Sequence, residues 1–122
     1  MTLQELYQSI GGNYENAIRV LRMEKLMDKH IRKFTKNGVA EKLLEAGRSR
    51  DAKELFESAH ALKGVCGNLG LTEMSELASE IAEEFRPGNA RKLSDEEVDG
   101  KIAKIGELYR KVCEGISRYE EG

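Results

Sequence analysis

The sequence is poor in the residues that interrupt helices or cross-link small folds. Its 122 residues include one proline, two cysteines and no tryptophan, and aromatic residues make up 6%. Because proline is nearly absent, long uninterrupted helices are expected. The few tyrosines and phenylalanines recur at helical spacing and are interpreted as core or boundary residues. The two cysteines lie far apart, and we expect reduced thiols rather than a disulfide.

Long apolar runs and a strong charge imbalance are also missing. No apolar stretch approaches the roughly 20 residues that span a bilayer. The N-terminus lacks a basic region followed by an apolar run, so we expect neither a signal peptide nor a membrane anchor, and a cytoplasmic location. The net charge of -2, from 22 acidic and 20 basic residues, gives no indication of nucleic-acid or membrane binding. The length predicts one domain over residues 1–122.

Apolar residues recur at helical spacing along almost the whole chain, and no segment alternates like a strand. The pattern predicts short helices over 3–10 and 14–21, a longer helix over 24–36, and one or two further turns over 39–46. Three longer amphipathic segments follow, beginning after Asp51, at Thr72 and after Ser94. Amphipathic helices joined by short links predict an all-α fold, an antiparallel four-helix bundle with short N-terminal helices.

Polar residues mark where several of these helices begin. Asn13 and Thr72 are predicted N-caps, because their side chains can accept a backbone N–H bond. Pairs of a capping residue and a glutamate three positions later predict capping boxes at Thr2–Glu5, Asp51–Glu54 and Ser94–Glu97. Gly70 is expected to end the helix that follows Asp51.

The helix after Asp51 carries the chemically informative residues. At about 100° per residue, His60 points roughly 120° away from the apolar seam and should be exposed. Lys63 and Gly64 neighbour it at i+3 and i+4, and Gly67 lies two turns on. A mid-helix glycine costs about 1 kcal/mol relative to alanine, so two of them beside one histidine suggest clearance for another backbone and a phosphoryl group. Lys63 would supply a positive charge for phosphate oxygens.

The spacing alone leaves a second interpretation open. His60 could be an ordinary surface histidine, with Gly64 and Gly67 serving as tight helix-packing points or having no role. Histidine side chains titrate near pH ~6.5, so a neutral, nucleophilic imidazole is available at neutral pH on any protein surface.

The segment 59–64, Ala-His-Ala-Leu-Lys-Gly, followed by Gly70, resembles the hallmark of histidine-containing phosphotransfer (HPt) domains. That family's pattern is Ala-His-x-Leu-Lys-Gly with a glycine about ten residues after the histidine, and the resemblance extends more loosely over residues 11–86. It implies that His60 is phosphorylated on Nε2, that Lys63 steadies the phosphoryl group and that Gly64 gives it room. In the region of Gly67 the family commonly has a small residue, often alanine, so the glycine of this sequence is a mild departure from the pattern. The family's polar partner on the next helix would fall near Glu80, Glu83 and Glu84, although a carboxylate there disfavours a phosphate.

By this resemblance the chain relays a phosphoryl group between aspartates of receiver domains through phospho-His60. The implied partners are response-regulator receiver domains and a hybrid histidine kinase, with Mg²⁺ held by the receiver and no cofactor or metal on this chain. The sequence has neither a G-x-x-x-x-G-K-[ST] loop nor a G-x-G-x-x-G motif, so a phosphocarrier without kinase activity is expected. The phosphoacceptor domain of sensor kinases fits less well, because Ala61 replaces its acidic residue and the first proline is Pro87.

The sequence also allows functions other than a phosphorelay. A helical adaptor that binds a receiver or kinase without carrying phosphate is the main alternative, and we expect a monomer in either case. A metal site is disfavoured because paired-ligand spacing is missing among His30, His60, Cys66 and Cys113. His30 is interpreted as a surface histidine, and the basic run 25–36 as a solvated helix face rather than a nucleic-acid site.

Overall fold

The computed structural model describes all 122 residues and contains seven helices and no strand. The helices are α1 (Leu3–Ile10), α2 (Tyr14–Leu21), α3 (Glu24–Phe34), α4 (Val39–Ser49), α5 (Ala52–Asn68), α6 (Thr72–Phe85) and α7 (Asp95–Glu121). The predicted all-α class is therefore confirmed. None of the helices is both long and apolar enough to cross a membrane.

The bundle has four antiparallel members. Three of them are the single helices α5, α6 and α7, and the fourth is formed by α3 and α4 together. The helices α3 and α4 pack one after the other along α7, and both run antiparallel to it. The ring of Phe34 meets that of Tyr109 edge-on, with 5.5 Å between centroids, and the Tyr109 hydroxyl donates to Glu41 at 2.7 Å. On the other side, the Ser75 hydroxyl of α6 donates to the carbonyl of Lys63 in α5 at 3.0 Å. The predicted antiparallel four-helix bundle is confirmed.

The helices share one continuous core of 27 buried apolar residues. The short helix α1 closes one end of it by packing Leu6 and Ile10 against α7 at Gly115, where an added Cβ would overlap Ile10. Within α5, one face enters this core and the opposite face is left to solvent. The core face consists of Leu55, Ala59, Leu62 and Cys66.

The region between α3 and α4 differs from the prediction. The helix expected to reach Lys36 ends at Phe34, and the turn or two expected over 39–46 is an eleven-residue helix that reaches Ser49. Gly38 adopts a left-handed conformation (φ 74°) and the Asn37 side chain accepts the N–H of Val39, which together stop α3 and start α4. Burial of Leu43 and Ala46 then stabilises the longer helix.

Most of the predicted caps are present. The capping boxes at Thr2 and Ser94 form with both hydrogen bonds, and Asn13 accepts the N–H of Asn16. The predicted capping box at Asp51 and the predicted N-cap at Thr72 were wrong in detail. Asp51 accepts the N–H of Glu54, but the Glu54 carboxylate accepts from the Ser49 hydroxyl instead of closing the box. Thr72 is the first residue of α6 rather than its cap, because the carbonyl of Leu71 already accepts the N–H of Ser75.

Candidate functional site

His60 lies on the solvent side of α5, as the helical geometry predicted. Its neighbours Ala59 and Leu62 are fully buried, whereas His60 and Gly64 are exposed. No side chain or backbone group of the protein hydrogen-bonds to the imidazole. Both ring nitrogens are therefore free of protein partners, and the ring is open to approach from solvent.

Phe56, one turn before His60, sets the orientation of the imidazole. The two rings are stacked with 5.8 Å between centroids and 25° between planes. The guanidinium of Arg86, at the end of α6, lies 5.2 Å from the Phe56 centroid. Ring pairs of this kind contribute about 0.5–1.5 kcal/mol beyond area burial. Phe56 therefore restricts the rotamers of His60 without occupying its nitrogens.

Lys63 follows His60 by one turn and is half-buried. Its backbone carbonyl accepts the Ser75 hydroxyl, which fixes this turn of α5 against α6. Its ammonium group has no carboxylate within ion-pair distance. The positive charge beside His60 is therefore available to an incoming anion.

The two glycines beside His60 are not required by helix packing. A Cβ built on Gly64 would meet nothing within 4 Å, and one on Gly67 would lie 3.6 Å from the Ser75 oxygen, an ordinary contact. At Gly47, by contrast, a Cβ would lie 3.0 Å from Ile102. The interpretation of Gly64 and Gly67 as tight packing points is therefore wrong: the space above Gly64 is open, and a Cβ at Gly67 would make only an ordinary contact.

Of the three glutamates near the predicted polar position, only Glu83 faces the site. Arg86 pairs with it at 2.7 Å. This hydrogen bond lowers the pKa of the Glu83 carboxyl, and the charges of Lys63 and His60 add to the effect. Glu83 is thus ionised at neutral pH but largely neutralised by Arg86.

The other two glutamates have structural partners. Glu80 pairs with Lys101 of α7 at 3.0 Å. Glu84 is buried and accepts the Arg91 side chain at 2.6 Å and the N–H groups of Lys92 and Leu93. Burial raises the pKa of the Glu84 carboxyl, but these hydrogen bonds outweigh burial and the net pKa is lowered.

Gly70, the later glycine of the hallmark, serves the fold rather than the site. It adopts φ 73°, and a Cβ there would collide with the carbonyl oxygen of Asn13. The N–H of Asn13 donates to the Gly70 carbonyl at 2.7 Å. The glycine therefore joins the α5–α6 turn to the start of α2.

The remaining polar candidates are dispersed. His30 is exposed on α3, Cys66 is buried in the core and Cys113 is half-buried on α7. Burial raises the pKa of the Cys66 thiol to about 12, as expected of a thiol packed in the core. No group of three or more His, Cys, Asp or Glu side chains is placed to hold a metal ion.

Sequence reasoning missed Phe56 and Arg86 as parts of the site, and it named Glu83 only as one of three glutamates near the expected polar position. Phe56 was interpreted, like the other aromatic residues, as a core or boundary residue, although its position four residues before His60 indicates a contact between the two rings. Glu83 and Arg86 reach the site from α6, and this depends on how α6 registers against α5. Nothing in the sequence around Arg86 indicated that its side chain would reach the site.

No match was found among curated proteins or among solved structures. The family profile described as "Hpt domain" matches residues 16–117. Hpt domains act in phosphorelays as phosphocarriers, and they interact with receiver domains and kinases of two-component systems. The match covers most of the bundle, including the His60 face of α5, and this chain therefore belongs to the Hpt domain family.

Proposed function

We propose that this protein relays a phosphoryl group between receiver-domain aspartates by way of phospho-His60. One observation carries the proposal: an exposed imidazole without a hydrogen-bond partner in the protein lies within the family hallmark, beside a lysine without an ion-pair partner and a helical glycine with open space around it. A docked receiver would bring its phospho-aspartate against this face of α5.

The transfer exchanges one bond to phosphorus for another. The lone pair on Nε2 of His60 attacks the phosphorus atom, the bond from phosphorus to the aspartyl oxygen breaks, and the carboxylate leaves with the electron pair. The Nδ1 proton stays on the ring throughout, so departure of the phosphoryl group returns the electron pair to Nε2 and regenerates the neutral imidazole. Attack by a second receiver's aspartate reverses these steps. Catalysis then consists mainly of positioning and charge stabilisation.

The neighbouring residues have separate roles in this proposal. Lys63 places a compact positive charge beside the phosphoryl oxygens. Gly64 and Gly67 have no side chain to project from this face of α5, so that the partner's backbone can approach the imidazole ring. Phe56 stacks on the imidazole and so limits the number of side-chain conformations that His60 adopts before it attacks the phosphorus atom.

The same proposal assigns the remaining chemistry to the partners. Mg²⁺ is held by the receiver, and this chain works without a cofactor, a metal or ATP. It acts as a monomeric single domain over residues 1–122, in the cytoplasm, with receiver domains and a hybrid histidine kinase as partners.

A labelling experiment tests the proposal against the adaptor alternative. The protein is mixed with a receiver phosphorylated by a radiolabelled donor, and protein-bound label is checked for acid lability and base stability, as expected of phosphohistidine. Wild type and the control His30→Gln are expected to become labelled, and His60→Gln is not. Label on His60→Gln would reject the site. Binding of several receivers without any label would favour the adaptor.

A further inference from the structure

Charge is distributed unevenly on the two sides of α5. Between residues 19 and 36 there are seven lysines and arginines but two acidic residues. On α6 there is no lysine or arginine and there are five glutamates: Glu73, Glu76, Glu80, Glu83 and Glu84. A chain with a net charge of -2 therefore has one strongly basic and one strongly acidic region.

The basic charge on α3 is exposed and largely unpaired. Lys25, Lys29 and Lys33 are all exposed, and none has a carboxylate within ion-pair distance; we call these three residues the α3 basic face. The paired cations of this region lie toward α7 instead, where Arg32 and Lys36 contact Glu120 at 3.4 and 3.6 Å. The α3 basic face therefore has no compensating charge within the molecule.

The Lys33 end of this face adjoins the C-terminal part of α5, whereas Lys29 and Lys25 lie one and two turns before Lys33 on α3. His30 and Lys33 line a surface hollow together with Val65 and Asn68 of α5. Asn68 follows His60 by eight residues, about 12 Å along the helix axis. A standard interface covers about 800 Å² per partner, a disc of about 16 Å radius. A partner centred on His60 therefore reaches this hollow.

We propose that the α3 basic face docks an acidic edge of the receiver domain while its phospho-aspartate lies over His60. The inference rests on the proposed function and extends it to partner choice. A receiver site that binds Mg²⁺ is built from carboxylates, so acidic potential beside its phosphorylated aspartate is expected. The α3 basic face attracts that edge. The helix α6, on the other side of His60, contains no lysine or arginine, and three of its five glutamates are already paired, with Lys101, Arg86 and Arg91. Receivers with acidic residues at this edge are the preferred partners.

Charge reversal tests the proposal. The triple variant Lys25→Glu/Lys29→Glu/Lys33→Glu is compared with Lys104→Glu/Lys111→Glu/Arg118→Glu, an equal change on exposed positions of α7, across the bundle from α5. The rate constant kcat/KM for transfer from a phosphorylated receiver is measured from low to physiological salt. The α3 variant is expected to lose at least tenfold at low salt and to show a flatter salt dependence. The α7 variant is expected to stay within about twofold of wild type.

A small donor separates this proposal from the proposed function. Phosphoramidate carries no docking surface, so it should label His60 equally in wild type and both triple variants. Equal transfer rates for the two variants would overturn the docking surface while leaving the relay intact. Failure of wild type to take label from either donor would overturn the relay and the docking proposal with it. Loss of binding to anionic vesicles or duplex DNA in the α3 variant, with unchanged transfer, would assign the face to a different partner.

Discussion

Replacing Gly64 with alanine is expected to stabilise the fold and slow the transfer. Gly64 lies mid-helix, is exposed, and has nothing within 4 Å of where a Cβ would be. Glycine costs about 1 kcal/mol relative to alanine at such a position, so the free energy of unfolding should rise by about that amount. For a chain of this size the gain corresponds to about 4 °C in Tm.

The same methyl group would stand between His60 and a docked receiver. Extra bulk in a closely packed contact costs about 1–3 kcal/mol, which predicts that Gly64→Ala slows transfer from a receiver about fivefold or more. Gly64→Leu should still fold and should slow transfer further. Phosphoramidate, which is far smaller than a receiver, should label both variants with little loss.

Gly100→Ala is the matched control for these variants. Gly100 is an exposed helical glycine of α7 with equally open surroundings. Its replacement should give a similar gain in stability, measured by urea denaturation, and no change in single-turnover transfer. If folded Gly64→Ala and Gly64→Leu proteins transfer at the wild-type rate, the clearance explanation of Gly64 is refuted.

Three further variants test the packing and electrostatics around the site. Phe56→Leu removes the ring stack, so transfer should slow about twofold to tenfold and the imidazole proton resonances of His60 should move downfield in NMR; unshifted resonances would mean that the rings do not stack in solution. Gly115→Ala should lower the free energy of unfolding by about 1–3 kcal/mol, opposite in sign to Gly64→Ala, because its Cβ would overlap Ile10; equal or higher stability in denaturant titration would contradict this packing. The pKa of Glu84 is lowered in the fold from 4.5, so its stabilisation is present above about pH 4.5 and lost as the pH falls through the folded value. Glu84→Gln should therefore lower the Tm at pH 7 and weaken its fall in acid, and a parallel pH profile would count against that role.

Local sequence patterns accounted for the fold wherever a helix is defined by its own residues. The bounds of α1 and α2 follow from a capping residue at one end and a left-handed residue at the other. The extent of α4 does not, since its last turn is stabilised by burial against the rest of the bundle. Helix lengths that depend on tertiary packing are not contained in local periodicity.

The candidate site divides in the same way. Helical geometry places His60, Lys63, Gly64 and Gly67 on successive turns of α5, so their proximity was predictable. The contact of Phe56 with Arg86, and the surface hollow that Lys33 of α3 lines together with Asn68 of α5, bring together residues distant in sequence. They depend on the packing of whole helices, which a single sequence does not specify residue by residue.

The central claim is that His60 itself carries the transferred phosphoryl group. The most direct test is mass-spectrometric mapping of wild-type protein, kept out of acid, after mixing with a phosphorylated receiver. A single phosphoryl group on the imidazole of His60, lost when a second unphosphorylated receiver is added, is the predicted result. A phosphoryl group on any other side chain, or an unmodified His60 in a protein that binds the receiver, would contradict the account.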